Sequence, residues 1–371
     1  MLKPREHDVL LAPYTTFKIG GPAKFFWRAE NLEELSDAVG WARGQAEPIL
    51  ILGGGSNMLV NDAGFAGLAI HFVKRGIDIK QEDGNSITLS VASGEVWDEV
   101  VEYAVNNNWW GIENLSHIPG QTGAFAVQNV GAYGQEASQV VVSVEVFDTV
   151  EQKEKTFSAA DCKFGYRKSL FNTQEKGRYV ILDTNIRLGK EPRPNLSYGA
   201  LQRYFPGSEQ PTQGQIRQAV TEIRDKLFPF PKQAVNGNAG SFFRGPVLSP
   251  PEIEFLFQKV GTNFGTEALT RLHSMSDRLL VPQGMKTPTA FLLELCGLKG
   301  TSVGGAKIHD GHAAVVINAT GQATAQDVLG LFTKAGQEVY QKTGVVLHIE
   351  PELVGYSEGQ KEAILDSVAE G

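Results

Sequence analysis

A chain of 371 residues is long enough for two or three domains. With 42% hydrophobic and 20% charged residues its composition is ordinary for a globular protein, which excludes disordered, collagenous and coiled-coil classes. A formal net charge of −8 argues against a general nucleic-acid binder, and the two cysteines, Cys162 and Cys296, lie too far apart in sequence to suggest a zinc site or a disulfide framework.

No stretch approaches the ~20 apolar residues of a membrane span. The apolar run near the N-terminus is too short for a signal peptide. A cytoplasmic protein is therefore expected, in keeping with the cysteine usage. Residues 31–46 predict a helix, with Leu32, Leu35, Val39 and Ala42 on one face and Asn31 with Glu34 as a capping pair. Strands are predicted at 48–52, 68–72, 87–92, 141–147 and 179–188, with a helix over 97–106 between them. Ile216, Val220, Ile223 and Leu227 mark a helix over 213–227. The proline- and glycine-rich stretch from Pro229 to Pro251 reads as a domain junction. Helices follow at 252–260, at 288–296 (capped by Thr287, ended by Gly297) and at 324–343, where Thr324 pairs with Asp327 and Gly344 is the stop. A last strand over 345–355 and a short charged helical tail complete the chain. Strands and helices mix without strict alternation, so the expected class is α+β.

Five segments are candidates for chemistry. Gly53, Gly54, Gly55, Ser56 and Asn57 join strand to strand, and successive glycines let backbone N–H groups converge on an anion. Neither a Rossmann fingerprint nor a P-loop is present. A second cluster runs from Pro119 and Gly120 through Thr122 and Gly123 to Gly131, Tyr133 and Gly134. Gly123 could open a short helix with its N-terminus toward a phosphate. Two such loops suit the pyrophosphate of a dinucleotide, although each alone also reads as a tight turn. In the third segment Arg167 and Lys168 follow Tyr166, a pair suited to a carboxylate or diphosphate but equally to a solvated turn. Ser241 lies after small residues and before Phe242 and Phe243, outside any hydrolase elbow, so a structural serine is the plainer account. Glu350, held extended by Pro351, could be a carboxylate at the end of a strand or a surface acid. His309 and His312 lie in a loop, and no metal site is expected.

Taken together and in this order, the five segments resemble the UDP-N-acetylenolpyruvoylglucosamine reductase family. The resemblance runs from Thr15–Gly21 to Glu350-Pro351-Glu352, and it includes Gln128–Gly134, Phe164–Arg167 and Gly237–Phe243. It implies a two-lobed FAD-binding domain of the vanillyl-alcohol-oxidase (PCMH) type plus an α+β substrate-binding domain. On that pattern residues 1–75 form the first FAD lobe, 76–225 the second (joined by 347–371) and 226–346 the substrate-binding domain. The implied reaction is NADPH-dependent reduction of UDP-N-acetylglucosamine enolpyruvate to UDP-N-acetylmuramate. The family's pattern puts non-covalent FAD on the two glycine clusters. It makes Arg167, Ser241 and Glu350 catalytic, with Ser241 as proton donor. Tyr166, Tyr198, Lys226 and His312 fall at its substrate-contacting positions, and the segment Leu196–Gly199 indicates the longer, loop-containing subtype. Gly245 stands where relatives often carry Asn, and His312 where they carry Gln. The partners implied are the enolpyruvyl sugar nucleotide and NADPH, with a monomer expected. An FAD-dependent oxidase or dehydrogenase of the same fold is the alternative. Many of those bind flavin covalently through a His near the glycine loop, where this chain has Ser56 and Asn57.

Overall fold

The computed structural model describes residues 6–207, 210–227, 229–231 and 233–369. The chain divides into two compact units. One gathers residues up to Val9 with Ala23–Gly55 and Phe65–Lys226; the other gathers Leu10–Pro22, Ser56–Gly64 and the chain from Leu227 onward.

The first unit holds two sheets. Strands Pro22–Ala29, Phe65–Phe72 and Ile49–Leu52 lie parallel, with Glu6–Leu10 at the edge. The helix Leu32–Gly44 connects two of them and buries Leu35, Ala38, Val39 and Ala42. The Asn31 side chain accepts from the Glu34 N–H at 2.9 Å, the expected cap. The second sheet is antiparallel, in the order Lys153–Ser158, Val141–Asp148, Tyr179–Gly189, Ser86–Ala92, Ile77–Glu82. The helices Trp97–Asn106 and Thr122–Val127 cover it, with Trp97 stacked on Phe125 at 3.8 Å.

At the end of strand Val141–Asp148 the Asp148 side chain is wholly buried. Burial opposes its charge. Arg178 at 2.9 Å, Lys155 at 2.7 Å and the Val150 and Glu151 N–H groups outweigh that, holding the carboxyl well below the usual carboxylate range. A group depressed in the folded state stabilises fully above the ordinary carboxylate pKa of about 4 and loses that contribution as pH falls through its folded value. Asp148→Asn leaves two cations facing a neutral amide, and it is expected to cost about 3–5 kcal/mol, read from the urea midpoint at pH 7. The deficit relative to the parent should shrink as the pH is lowered below 4 or so; a deficit independent of pH would assign Asp148 a packing role only.

In the second unit, Gly237–Ser241, Val315–Asn318, Ala306–Ile308 and Ser302–Val303 form an antiparallel sheet. The helix Ala325–Thr343 packs against it with Val328, Leu331, Phe332, Ala335 and Val339 buried. Thr324 caps that helix reciprocally with Asp327, and Gly344 ends it at φ +75°, both as expected. Three expectations change. The helix at 252–260 is longer, Pro250–Leu279, because it resumes after a left-handed break at Gly265, φ +83°. Thr287 does not cap the next helix, Thr289–Leu295; its hydroxyl donates to the Pro246 carbonyl at 2.6 Å. The strand over 345–355 is two short ones, His348–Ile349 and Glu352–Val354, because Pro351 has no N–H to continue a ladder. Residues 347–369, expected with the second lobe, cluster here with the second unit. There the tail helix Glu358–Ala369 packs Val368 against Gly336, and Ser367 bonds to Thr333 and Gln337.

Candidate active site

In the first unit the two glycine clusters meet. A Cβ added to Gly54 would lie 2.7 Å from the Cα of Gly120, so the two backbones run in contact and only glycine fits. Gly53 faces the Gln121 side chain, whose Oε1 is buried without a hydrogen-bond partner, as is Ser93 Oγ beside Gly123. Buried polar atoms without partners are rare and fit a polar group bound there. Left-handed conformations concentrate in the same loops: Gly55 at φ +58°, His117 at +59°, Gly120 at +125°, Tyr133 at +49° and Gly134 at +86°. Of the two unpartnered atoms, Ser93 Oγ can donate or accept, while Gln121 Oε1 can only accept. One expectation needs revision. The helix Thr122–Val127 is a turn and a half long, and its first N–H groups are engaged: Thr122 donates to Glu95 O and Gly123 to Ser93 O, both at 2.9 Å. Any contact of Thr122 or Gly123 with a cofactor therefore runs through close approach rather than free amides.

Tyr166 and Arg167 form the tip of a two-residue turn closed by reciprocal bonds between Gly165 and Lys168. The turn is anchored from the end of the helix Thr122–Val127 and the loop after it. The Asn129 amide donates to Gly165 O at 2.9 Å, Ser169 Oγ to Val127 O at 2.6 Å, and Arg167 itself to Gly131 O at 2.9 Å. Arg167 is thereby fixed against the second glycine cluster, while Tyr166 stays 55% exposed, which sets aside a freely solvated basic turn. Tyr198 precedes the short helix Gly199–Tyr204, with its ring edge-on to Tyr133 at 5.2 Å. Lys226 is exposed in the last turn of the helix Gln213–Leu227.

Sequence reading missed the support beneath these loops. Glu113 is fully buried; burial raises its carboxyl pKa, and it accepts from Gly111 N–H at 2.8 Å and Gln135 Nε2 at 2.9 Å. Gln135 in turn accepts from Asn114 N–H, and Asn114 donates to Tyr133 O at 2.7 Å. Arg224 donates to His117 O at 2.7 Å. Burial raises the Tyr133 phenol above its ordinary range, with Arg224 pulling it back. The only signal available was polar residues flanking a glycine cluster, which loops also show.

In the second unit Ser241 ends the strand Gly237–Ser241, where a register shift between Asn238 and Ser241, with Gly240 at φ +72°, re-aims the backbone. Phe242 and Phe243 follow it into an aromatic cluster with Phe17 and Phe332, anchoring the strand end. Phe243 and Arg244 pair with Ile349 and His348, and the Glu350 N–H donates to Phe242 O at 2.9 Å. Ser241 and Glu350 thus sit on neighbouring backbone. His312 opens the turn before Val315, which pairs with Ser241; Ala314 N–H donates to His312 Nδ1 at 3.3 Å, and burial lowers the imidazole pKa. Within the same unit the Asn57 carbonyl accepts from Glu352 N–H at 2.9 Å. Gly245 is explained by space: its Cβ would fall 2.2 Å from that of Thr287. No group of acidic, histidine or cysteine side chains among the described residues could hold a metal ion.

The FAD binding domain family matches residues 23–151, and the UDP-N-acetylenolpyruvoylglucosamine reductase C-terminal domain matches residues 231–354. The chain is 37% identical over 355 residues to the UDP-N-acetylenolpyruvoylglucosamine reductase of Neisseria meningitidis serogroup A, covering 94% of this chain and 97% of the relative. It is 36% identical over 359 residues to that of Salmonella choleraesuis, covering 97% and 99%. Among solved structures, the UDP-N-acetylenolpyruvylglucosamine reductase of Thermus caldophilus matches 95% of this chain and 99% of its own, with a TM-score of 0.63 at 24% identity. That likeness bears out the α+β architecture, and the family match bears out its FAD-binding part. No helix among the described residues is long and apolar enough to cross a membrane.

Proposed function

The chain belongs to the UDP-N-acetylenolpyruvoylglucosamine reductase family, and on that premise we propose that it reduces UDP-N-acetylglucosamine enolpyruvate to UDP-N-acetylmuramate for peptidoglycan precursor synthesis. It is an FAD-dependent oxidoreductase, with NADPH as the source of hydride. Gly53, Gly54, Gly55, Ser56, Asn57, Pro119, Gly120, Gly131, Tyr133 and Gly134 would hold the cofactor without a covalent bond, and Thr122 and Gly123 would back them at close approach.

The substrate is an enol ether bearing a carboxylate. FAD held there, reduced by NADPH, would provide the hydride by which the substrate's terminal CH₂ becomes CH₃. Negative charge then develops at the α carbon and spreads into the carboxyl. Arg167, fixed by its bond to Gly131 O, supplies a cation to that carboxyl. Glu350 in its protonated form donates a hydrogen bond there. Ser241 delivers the proton to the α carbon, completing addition of H⁻ and H⁺ across the double bond. Tyr166, Tyr198, Lys226 and His312 contact the sugar nucleotide. The net charge of −8 is no obstacle, since local cations act at a diphosphate. One chain carries every residue named, so a monomer suffices, and the nucleotide-sugar substrate fits a cytoplasmic location.

The observation that supports this reading best is the bond from Glu350 N–H to Phe242 O, which fixes the backbone of Glu350 next to the residue that follows the proposed proton donor. Glu350→Gln is expected to retain FAD and to slow substrate reduction roughly 10²-fold, in the range typical of a lost acid. His348, paired with Arg244 and pushed by burial below its ordinary pKa, is expected to be structural, so His348→Gln should turn over near the parental rate. Normal turnover in Glu350→Gln would remove Glu350 from the mechanism.

A further inference from the structure

The segment carrying Tyr198 is joined to the second glycine cluster by side-chain amides. Asn114, fully buried, donates both Nδ2 protons to carbonyls, one on Tyr133 at 2.7 Å and one on Asn195 at 2.8 Å. Asn195 answers in the other direction: its Nδ2 donates to Gly134 O at 2.9 Å. The Asn195 Oδ1 accepts from Ser197 N–H at 3.1 Å and from Ser197 Oγ at 2.7 Å, shaping the turn that presents Tyr198. A Cβ on Gly134 would lie 3.0 Å from Ser197 Oγ and 3.3 Å from Asn195 Nδ2, so the two loops are in close contact. Tyr198 then sets its ring edge-on against Tyr133 while remaining 49% exposed. Behind Asn114, Gln135 and the buried Glu113 hold the amide's position.

We propose that Asn195 is a positioning residue that latches the Tyr198 segment onto the Tyr133–Gly134 backbone, so that the loop proposed to hold cofactor also sets the pose of the side chain proposed to meet substrate. The inference rests on the reading that Tyr198 contacts the sugar nucleotide. Asn195 touches neither cofactor nor substrate; it acts through Tyr198. Hydrophobic support from Leu196 and Leu201, which pack with Trp110 and Ile216, keeps the segment folded when the latch is lost.

The test uses the full-length, flavin-loaded protein and three variants. Asn195→Ala removes both halves of the latch. Asn195→Asp keeps the acceptor for Ser197 and loses the donor to Gly134. Tyr198→Ala removes the side chain being positioned. Two readouts are taken: KM for the enolpyruvyl sugar nucleotide, and amide hydrogen exchange at Ser197 and Leu201. Asn195→Ala is expected to raise KM roughly tenfold, the worth of one or two hydrogen bonds, and to speed exchange at Ser197 and Leu201 by a similar factor. Bleaching of flavin by NADPH should keep its parental rate. Asn195→Asp should raise KM while leaving Ser197 protected. Unchanged exchange in Asn195→Ala overturns the latch whatever KM does. Faster exchange with parental KM in both Asn195→Ala and Tyr198→Ala upholds the latch and overturns the substrate role of Tyr198. Faster exchange with KM raised only in Tyr198→Ala overturns the positioning role of Asn195.

Discussion

Ser241→Ala is expected to split the catalytic cycle into an intact half and a broken one. NADPH will still bleach the flavin at the parental rate, because hydride delivery to the cofactor needs no proton at the substrate's α carbon. Recolouring by the enolpyruvyl sugar nucleotide will slow by about 10²–10⁴-fold, the usual cost of losing a general acid, with water able to restore part of it. The folded state should survive, since Phe242 and Phe243 anchor the strand end and Ser241 is only half-buried. Ser241→Cys keeps a transferable proton and is expected to recover some activity. Stopped-flow absorbance follows the halves separately. Equal slowing of both would mean that Ser241 holds the site together rather than delivering a proton. Parental rates in both would require another acid.

Gly54→Ala is expected to yield protein with little or no bound flavin. The added methyl would lie 2.7 Å from Gly120 Cα, 3.1 Å from its carbonyl carbon and 3.2 Å from Gln121 N. All three are backbone atoms, so no rotamer change relieves the clash and the two glycine clusters must separate. Overpacking of this kind costs about 1–3 kcal/mol, or roughly 5- to 150-fold in FAD affinity if the strain falls on the loaded state. Gly44→Ala is the control: nothing lies within 4 Å of that Cβ, and flavin content should match the parent. Flavin is measured in the supernatant after acid precipitation, where non-covalent FAD appears. Full yellow colour in Gly54→Ala would mean that the contact between the clusters does not shape the cofactor loop. Flavin retained in the parent's pellet would contradict non-covalent binding.

Local signals were legible and long-range ones were not. The caps at Asn31 and Thr324 and the stop at Gly344 were readable because a cap is settled by three or four neighbouring residues. The continuation of Pro250–Leu279 was hidden: Gly261 and Gly265 look like breakers, yet only Gly265 leaves helical geometry, and the helix resumes after it. The split at Glu350–Pro351 was misread as one strand because the apolar pattern on either side is continuous, while the two halves pair with different partners, His348–Ile349 with Phe243–Arg244 and Glu352–Val354 with Met58–Val60. In the site, composition picked out both glycine clusters and the family pattern picked out Arg167, Ser241 and Glu350. What composition could not supply was contact. The approach of Gly54 to Gly120 depends on where separate strands place their ends. The Glu113–Gln135–Asn114 chain depends on burial, and no residue in it is unusual for a turn. The engaged amides of Thr122 and Gly123 likewise follow from the position of the Ser93–Glu95 turn, which no motif encodes.

The central claim is that this chain passes hydride from NADPH to an enolpyruvyl sugar nucleotide by way of bound FAD. Anaerobic absorbance near the flavin's long-wavelength band tests it in one cuvette. NADPH added to the yellow protein should bleach it, and UDP-N-acetylglucosamine enolpyruvate added next, still without oxygen, should restore the colour with one equivalent of UDP-N-acetylmuramate formed per flavin. Protein that stays bleached with the sugar nucleotide and recolours only when oxygen is admitted would contradict the account and mark the chain as an oxidase.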